Sequence, residues 1–304
     1  MSRISTSFMS EVLKRPVSIE LVVPADHMVM PNGELPQKNR PYRTLYYLEG
    51  MCGDHRGPLD HTDLQLLAED YNLAIVSIGG ENKWYSASPF TDDDFISLVA
   101  VDIVNFTRRV FNLSDNREDT FLGGFSMGGH GAFVIGLRHP ELFSRLVSLD
   151  ASLQKYGIET STDSTDHWDL TRKHQYLNMF GISDPSEWAG SEHDYEFLAK
   201  RLAETNKELM PRIYMSCGRQ DGLYGLNTAY RDMLRGLGYD VEWFEFDGAH
   251  SYYSMCQGIA EAVKWLPLEN EFAGNDPYYG PTANLGFDNF NGWRVFCNME
   301  AEAK

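Results

Sequence analysis

A chain of 304 residues with 42% apolar composition can bury one large α/β core, and a single main domain over residues 1–268 is the expected arrangement. Its 26 Lys and Arg against 44 Asp and Glu leave a formal charge of −18, which repels nucleic acid and anionic membrane and excludes both as expected partners. Residues 1–15 carry no continuous apolar run, so neither an export signal nor a span is expected there and the chain reads as cytoplasmic. In that compartment the widely spaced Cys52, Cys217, Cys256 and Cys297 read as free thiols, not as a zinc site or disulfides.

Residues 17–23 alternate polar and apolar as an outer strand does, and Pro24 ends the run. Residues 31–41, rich in Pro, Asn, Gly and Lys, read as an exposed hairpin loop. Residues 42–48 form a strand that runs into the loop Glu49-Gly50-Met51-Cys52-Gly53. A helix over 63–71 gathers Leu64, Leu67, Ala68 and Tyr71 on one face, and the short apolar run 73–78 suits a buried parallel strand. The strongest helix pattern spans 92–111. Asp92, Asp93 and Asp94 at its start suit the helix dipole better than a metal, because consecutive residues on a helix point apart.

Residues 120–122 are a strand leading into Gly124-Phe-Ser126-Met-Gly128, and residues 132–137 continue as a helix. A strand, a sharp turn and a helix are the context a nucleophile elbow needs, with glycines two before and two after the serine sparing Cβ clashes. A strand over 145–149 ends at Asp150. From 151 to 206 the pattern loosens into turns and short helices bearing Tyr156, Trp168, Tyr176, Phe180, Trp188, Tyr195 and Phe197. This reads as a cap or lid, and a compact excursion with its own aromatic core is an equal alternative. Strands over 212–216 and 241–246 and helices over 228–237 and 259–266 complete an alternating pattern that predicts an α/β fold with a mostly parallel central sheet flanked by helices. Residues 269–304 read as a C-terminal extension packed on the domain.

A serine hydroxyl is a weak nucleophile alone, so Ser126 needs a base, an acid to orient it, and donors for an oxyanion. Asp221 follows the strand at 212–216 and His250 follows the strand at 241–246, so three distant residues meet at one sheet edge in the order Ser, acid, His. Asp150 is a second candidate acid; Asp221 is preferred because the loop after the penultimate strand is the usual place. His130, one turn beyond Ser126, suits support and not base chemistry, while His55, His61, His139, His167, His174 and His193 read as surface residues. No His-Glu-x-x-His spacing occurs, which argues against a metalloenzyme, and a serine–histidine–acid mechanism needs neither a metal nor an organic cofactor, so none is expected. The Met127 N–H and an amide at Met51 are the expected oxyanion donors. Cys52 beside Met51, Tyr252 after His250, and the stacking rings of Trp84, Trp168 and Trp188 are the expected substrate contacts.

Several ordered motifs carry a resemblance: Gly50-Met-Cys-Gly-Asp54, Gly124-Phe-Ser-Met-Gly-Gly-His-Gly131, Cys217-Gly-Arg-Gln-Asp-Gly-Leu-Tyr224, Leu237-Gly-Tyr-Asp-Val-Glu242, Gly248-Ala-His250 and Trp265-Leu-Pro267. The chain resembles, over residues 16–268, the α/β-hydrolase esterase family that includes tributyrin esterase, feruloyl esterases and S-formylglutathione hydrolase. The resemblance implies the α/β-hydrolase fold with Ser126 as nucleophile, His250 as base, Asp221 as acid, and oxyanion amides near Met51 and Met127. It departs at Glu49, where the tributyrin branch carries His, at Pro58, where that branch has an aromatic, and at Ser251-Tyr252-Tyr253, where relatives often carry Trp. The implied activity is serine ester hydrolysis through an acyl-enzyme, on short acyl or aryl (acetyl, feruloyl) esters of sugars or small alcohols. Thioester hydrolysis of S-formylglutathione and a catalytically silent binding protein are the alternatives. The expected partner is a small-molecule ester, with a homo-oligomer left open.

Overall fold

The computed structural model describes residues 2–25, 41–163 and 172–268. Residues 31–40 of the expected hairpin loop, Trp168 and the extension over 269–304 lie outside the described residues.

Eight strands form one sheet: β1 (Ser2–Met9), β2 (Pro16–Val23), β3 (Arg43–Leu48), β4 (Leu73–Ile78), β5 (Thr120–Phe125), β6 (Arg145–Leu149), β7 (Arg212–Gly218) and β8 (Val241–Phe246). Their order is β1-β2-β4-β3-β5-β6-β7-β8. Strand β2 pairs antiparallel with β1 and β4, and the run from β4 to β8 is parallel throughout. The parallel interior explains the unbroken apolar runs: both faces are covered, so every residue of β4 and β5 is buried. Along β3, Leu45 and Tyr47 enter the core on one face and Tyr46 and Leu48 the core on the other, as a period of two requires.

The register sets the functional edge. Leu48 lies opposite Gly124, Phe125 opposite Leu149, Leu149 opposite Ser216, and Phe246 opposite Gly218. The carboxyl ends of β3, β5, β6, β7 and β8 are therefore level, and the loops that follow them open on one side of the sheet.

Two elements differ from the expectations. Strand β1 was unassigned in the sequence; it pairs along its length with β2, and only its Ile4 and Phe8 side reaches the core. The long helix begins at Phe95, not Asp92, because Asp93 and Asp94 pair with Ala87–Ser88 in a two-stranded ribbon. Asp94 caps the helix, its carboxylate accepting from Ser97 N–H at 2.8 Å, and Leu98–Ile103 form a π-helical turn before α1 (Val104–Val110). Asp93 instead pairs with Lys83 at 3.0 Å and Arg15 at 3.3 Å.

Between β6 and β7 the chain runs through helices Gln154–Thr160, Lys173–Phe180 and α3 (Tyr195–Thr205). Leu198, Ala199 and Leu202 form the buried face of α3, which packs on the helix after β5. Tyr176, Phe180, Trp188 and Tyr195 turn inward with them and are buried.

Candidate active site

Strand β5 turns at Ser126 directly into helix α2 (Met127–Arg138). Ser126 sits at φ 57°, ψ −114°, a conformation that costs strain in any residue with a Cβ and that close packing must hold in place. The packing is visible at Gly124, where a Cβ would fall 2.5 Å from the Gly128 carbonyl carbon and 2.6 Å from the Leu48 carbonyl oxygen. Only glycine lets β5, α2 and β3 converge so closely.

From this turn the Ser126 hydroxyl donates to His250 Nε2 at 2.9 Å, and His250 Nδ1–H donates to Asp221 Oδ2 at 2.7 Å. An ionised carboxylate can only accept, so the second bond puts the ring proton on Nδ1 and turns the Nε2 lone pair toward Ser126. The His250 ring also stacks on Phe125, with centroids 4.8 Å apart. Burial alone would raise the Asp221 carboxyl. Hydrogen bonds from the His250 ring and from Leu223 N–H, the latter at 2.8 Å, hold it below the usual carboxylate range. The acid at this position is therefore ionised and anchored, while both His250 ring nitrogens are taken by Asp221 and Ser126 and Asp150 accepts from Gly218 N–H at 3.0 Å.

The Glu49–Gly53 loop lies against the serine: a Cβ on Gly50 would meet the Ser126 Cβ at 3.5 Å and the Phe125 ring at 3.3 Å. Met51 is half-buried on this loop, and Met127 is the first residue of α2, where a helix leaves its N–H groups without intrahelical partners. The Tyr85 hydroxyl ties the loop down, donating to the carbonyls of Glu49 and Ile78 at 3.0 Å each. Glu49 itself is enclosed, and burial, with the Asp54 charge adding, pushes its carboxyl up to about 7 against the pull of the Gly50 N–H.

The expected substrate contacts divide. Cys52 is exposed at φ 67°, with its N–H held by Asn82 Oδ1 at 2.7 Å, and Tyr252 is exposed with its ring on His61 at 4.6 Å. Trp84 and Trp188 do not line a cleft. Each is 2% exposed and packs with Phe180 and Tyr195 around His130, so neither ring offers a free stacking face. Their apolar area serves the core beneath α2, which is the more common use of a tryptophan ring. His193, expected on the surface, is also buried and bonds through Nε2 to the Ala87 carbonyl at 2.9 Å. Tyr85, expected beside Trp84 as a stacking surface, is fully buried and holds the Glu49 loop instead, while a role for Phe125 and the enclosed state of Glu49 and Asp150 were not foreseen from the sequence. Phe125 lies inside the elbow motif, and nothing local marks Tyr85 as an anchor of the Glu49 loop.

The sheet order, the strained serine turn and the Ser–His–Asp hydrogen-bond chain on the carboxyl edge define a serine hydrolase of the α/β-hydrolase fold. Residues 10–265 match the family described as "Putative esterase", and the chain belongs to that family. It is 30% identical over 269 residues to an acetyl esterase of Caldicellulosiruptor saccharolyticus, covering 88% of this chain and 98% of the relative. Two solved structures share the fold. The fluorophosphonate-binding serine hydrolase FphF of Staphylococcus aureus has a TM-score of 0.75 at 22% identity, covering 87% of this chain and 98% of its own. The S-formylglutathione hydrolase FrmB of Staphylococcus aureus has a TM-score of 0.73 at 21% identity with the same coverage, 87% and 98%. The chain is a serine carboxylic-ester hydrolase. No helix among the described residues is long and apolar enough to cross a membrane.

Proposed function

We propose that the chain removes short acyl groups, acetyl first among them, from esters of sugars or small alcohols, with Ser126 as nucleophile, His250 as base and Asp221 as the orienting acid. The observation that carries the chemistry is the unbroken chain of hydrogen bonds from Ser126 through His250 to Asp221. His250 Nε2 takes the Ser126 proton as Oγ bonds to the ester carbonyl carbon, and the carbonyl electron pair moves onto oxygen. The amides of Met51 and Met127 stabilise that oxyanion. His250 then returns the proton to the departing alcohol, and a water repeats the sequence to release the acid and free Ser126. Asp221 stabilises the imidazolium formed in each half.

Two facts favour a small acyl group. The rings expected to stack on an aryl acid, Trp84 and Trp188, are committed to the core, and the acetyl esterase relative aligns along nearly its whole length. The test compares p-nitrophenyl acetate, butyrate and ferulate and S-formylglutathione, using wild type, Ser126→Ala and Asp221→Asn. Acetate should give the highest kcat/KM, Ser126→Ala should abolish turnover and fluorophosphonate labelling, and Asp221→Asn should lower kcat about 10³- to 10⁴-fold. Preference for ferulate or for the glutathione thioester would overturn the substrate assignment. An unlabelled Ser126 in the wild type would overturn the catalytic one.

A further inference from the structure

Asp150 ends β6 beside the triad, fully buried and at φ 44°, a left-handed conformation that Asp tolerates better than most side chains. Its N–H donates to the Ser216 carbonyl at 2.8 Å, and Oδ1 accepts from Gly218 N–H at 3.0 Å. Oδ2 meets no donor among the described residues. One carboxylate oxygen each of Asp150 and Asp221 and the Cys217 sulfur all lie within 4.8 Å of one another. Two buried carboxyls this close repel when both are charged, so one of them holds its proton to a higher pH than a free carboxyl does.

The proton belongs on Asp150. Asp221 receives two donors, His250 Nδ1–H and Leu223 N–H, and both stabilise its charge; Asp150 receives one, from Gly218. We propose that Asp150 is kept as the neutral acid, that its Oδ2–H donates to Asp221, and that it thereby acts as a positioning residue for the acid of the triad. The inference rests on the assignment of Asp221 as that acid. It gives the unpartnered oxygen a use and turns a repulsive pair into a third hydrogen bond on Asp221.

The groups that face Asp150 leave it free to respond to pH. Cys217 on β7, Tyr47 on β3 and Tyr214 on β7 are all pushed upward by burial and stay neutral, leaving the Asp221 carboxylate as the standing charge and the His250 ring as the other titratable neighbour. Burial, with the Asp221 hydrogen bond and charge adding, pushes the Asp150 carboxyl up to about 7, against the Gly218 N–H and His250. As pH rises through neutrality Asp150 loses the donor hydrogen and gains a charge that repels Asp221, so kcat falls on that side.

The experiment follows kcat and KM across pH for wild type, Asp150→Asn and Asp150→Gly. Asn keeps an acceptor for Gly218 N–H and a donor for Asp221 and suits the left-handed backbone. Glycine suits that backbone too and removes the carboxyl. Asp150→Asn should stay within about threefold of the wild-type kcat at pH 6 and lose the decline near pH 7. Asp150→Gly should lose kcat about tenfold or more at all pH values, with KM within about twofold. A wild-type kcat and pH profile in Asp150→Gly, or an unchanged decline in Asp150→Asn, would overturn the proposal. So would loss of wild-type activity on dialysis against EDTA, since a cation and not a proton would then join the two carboxyls. Asp221→Asn run alongside separates the two levels: if it is fully active, the triad assignment fails; if it is impaired while the Asp150 variants match wild type, only this inference fails.

Discussion

Gly128 lies so close beneath Leu48 that a Cβ on it would stand 2.0 Å from the Leu48 carbonyl oxygen and 2.9 Å from that of Glu49. Both neighbours are backbone at the end of β3, so no side chain can swing aside. The first turn of α2 and the proposed oxyanion loop are thus held at a separation that the missing Cβ determines, and stability and activity share one contact. Gly128→Ala should cost about 2 kcal/mol or more and displace the Met51 loop, lowering kcat about 100-fold. Gly225→Ala is the comparison, because nothing lies within 4 Å of its Cβ position and it stands inside the helix Tyr224–Gly236. That variant should keep activity and gain up to about 1 kcal/mol. Urea unfolding and p-nitrophenyl acetate hydrolysis on both variants provide the check, and equal behaviour of the two would remove the steric argument.

The spatial meeting of Ser126, Asp221 and His250 was legible because each follows a strand, and parallel strands in register bring their carboxyl ends level whatever their separation in sequence. The elbow was legible for a steric reason, since its glycines answer to backbone contacts that no other residue permits. Ring direction was not. Trp84 reads as a stacking surface and Trp188 equally as lid or as core, yet both are buried, because a tryptophan carries the same apolar area in either role and only tertiary packing chooses. Edge strand β1 escaped notice because its burial is partial, so the alternation through Ile4 and Phe8 is weak. The sequence marks Asp150 as a candidate acid and Glu49 as a departure from the family pattern, but the burial of either is not legible, since a lone charged letter says nothing of burial until the loops around it close.

Glu49 makes that enclosure measurable. A Cβ on Gly53 would meet Glu49 Oε1 at 2.5 Å, and one on Gly57 would meet Oε2 at 2.9 Å, so the carboxyl fills a cradle made by two glycines. Burial raises it from 4.5 to about 7 in the folded chain. Between those values the unfolded chain has already released this proton and the folded chain has not, so stability is highest at the acid end and falls as pH rises to about 7. The full difference is about 3 kcal/mol. Glu49→Gln preserves the shape and cannot ionise. It should match wild type at pH 4.5 and exceed it by about 2–3 kcal/mol at pH 8, read from urea unfolding at the two pH values. A difference that is the same at both pH values would mean that Glu49 does not titrate in this way.

His130 supplies the opposite slope. It is fully buried among Trp84, Phe180, Trp188 and Tyr195, and neither ring nitrogen finds a hydrogen-bond partner among the described residues. Burial, with nearby His193 adding, lowers it from 6.5 to about 3. Its neutral form contributes full stability above pH 6.5. As pH falls toward 3 the unfolded chain takes up a proton that the folded chain refuses, and stability is lost. His193, lowered by burial to about 4, adds to the same acid slope from its place beside Trp188 and Phe180. Phenylalanine fills a similar volume without a titrating nitrogen, and an apolar ring in an aromatic cage leaves no polar atom unpaired. His130→Phe should therefore equal or exceed wild type at pH 7 and move the midpoint of acid unfolding downward, leaving a residual slope from His193. An unchanged acid midpoint, followed by circular dichroism from pH 7 to pH 3, would show that the acid sensitivity of the fold lies elsewhere.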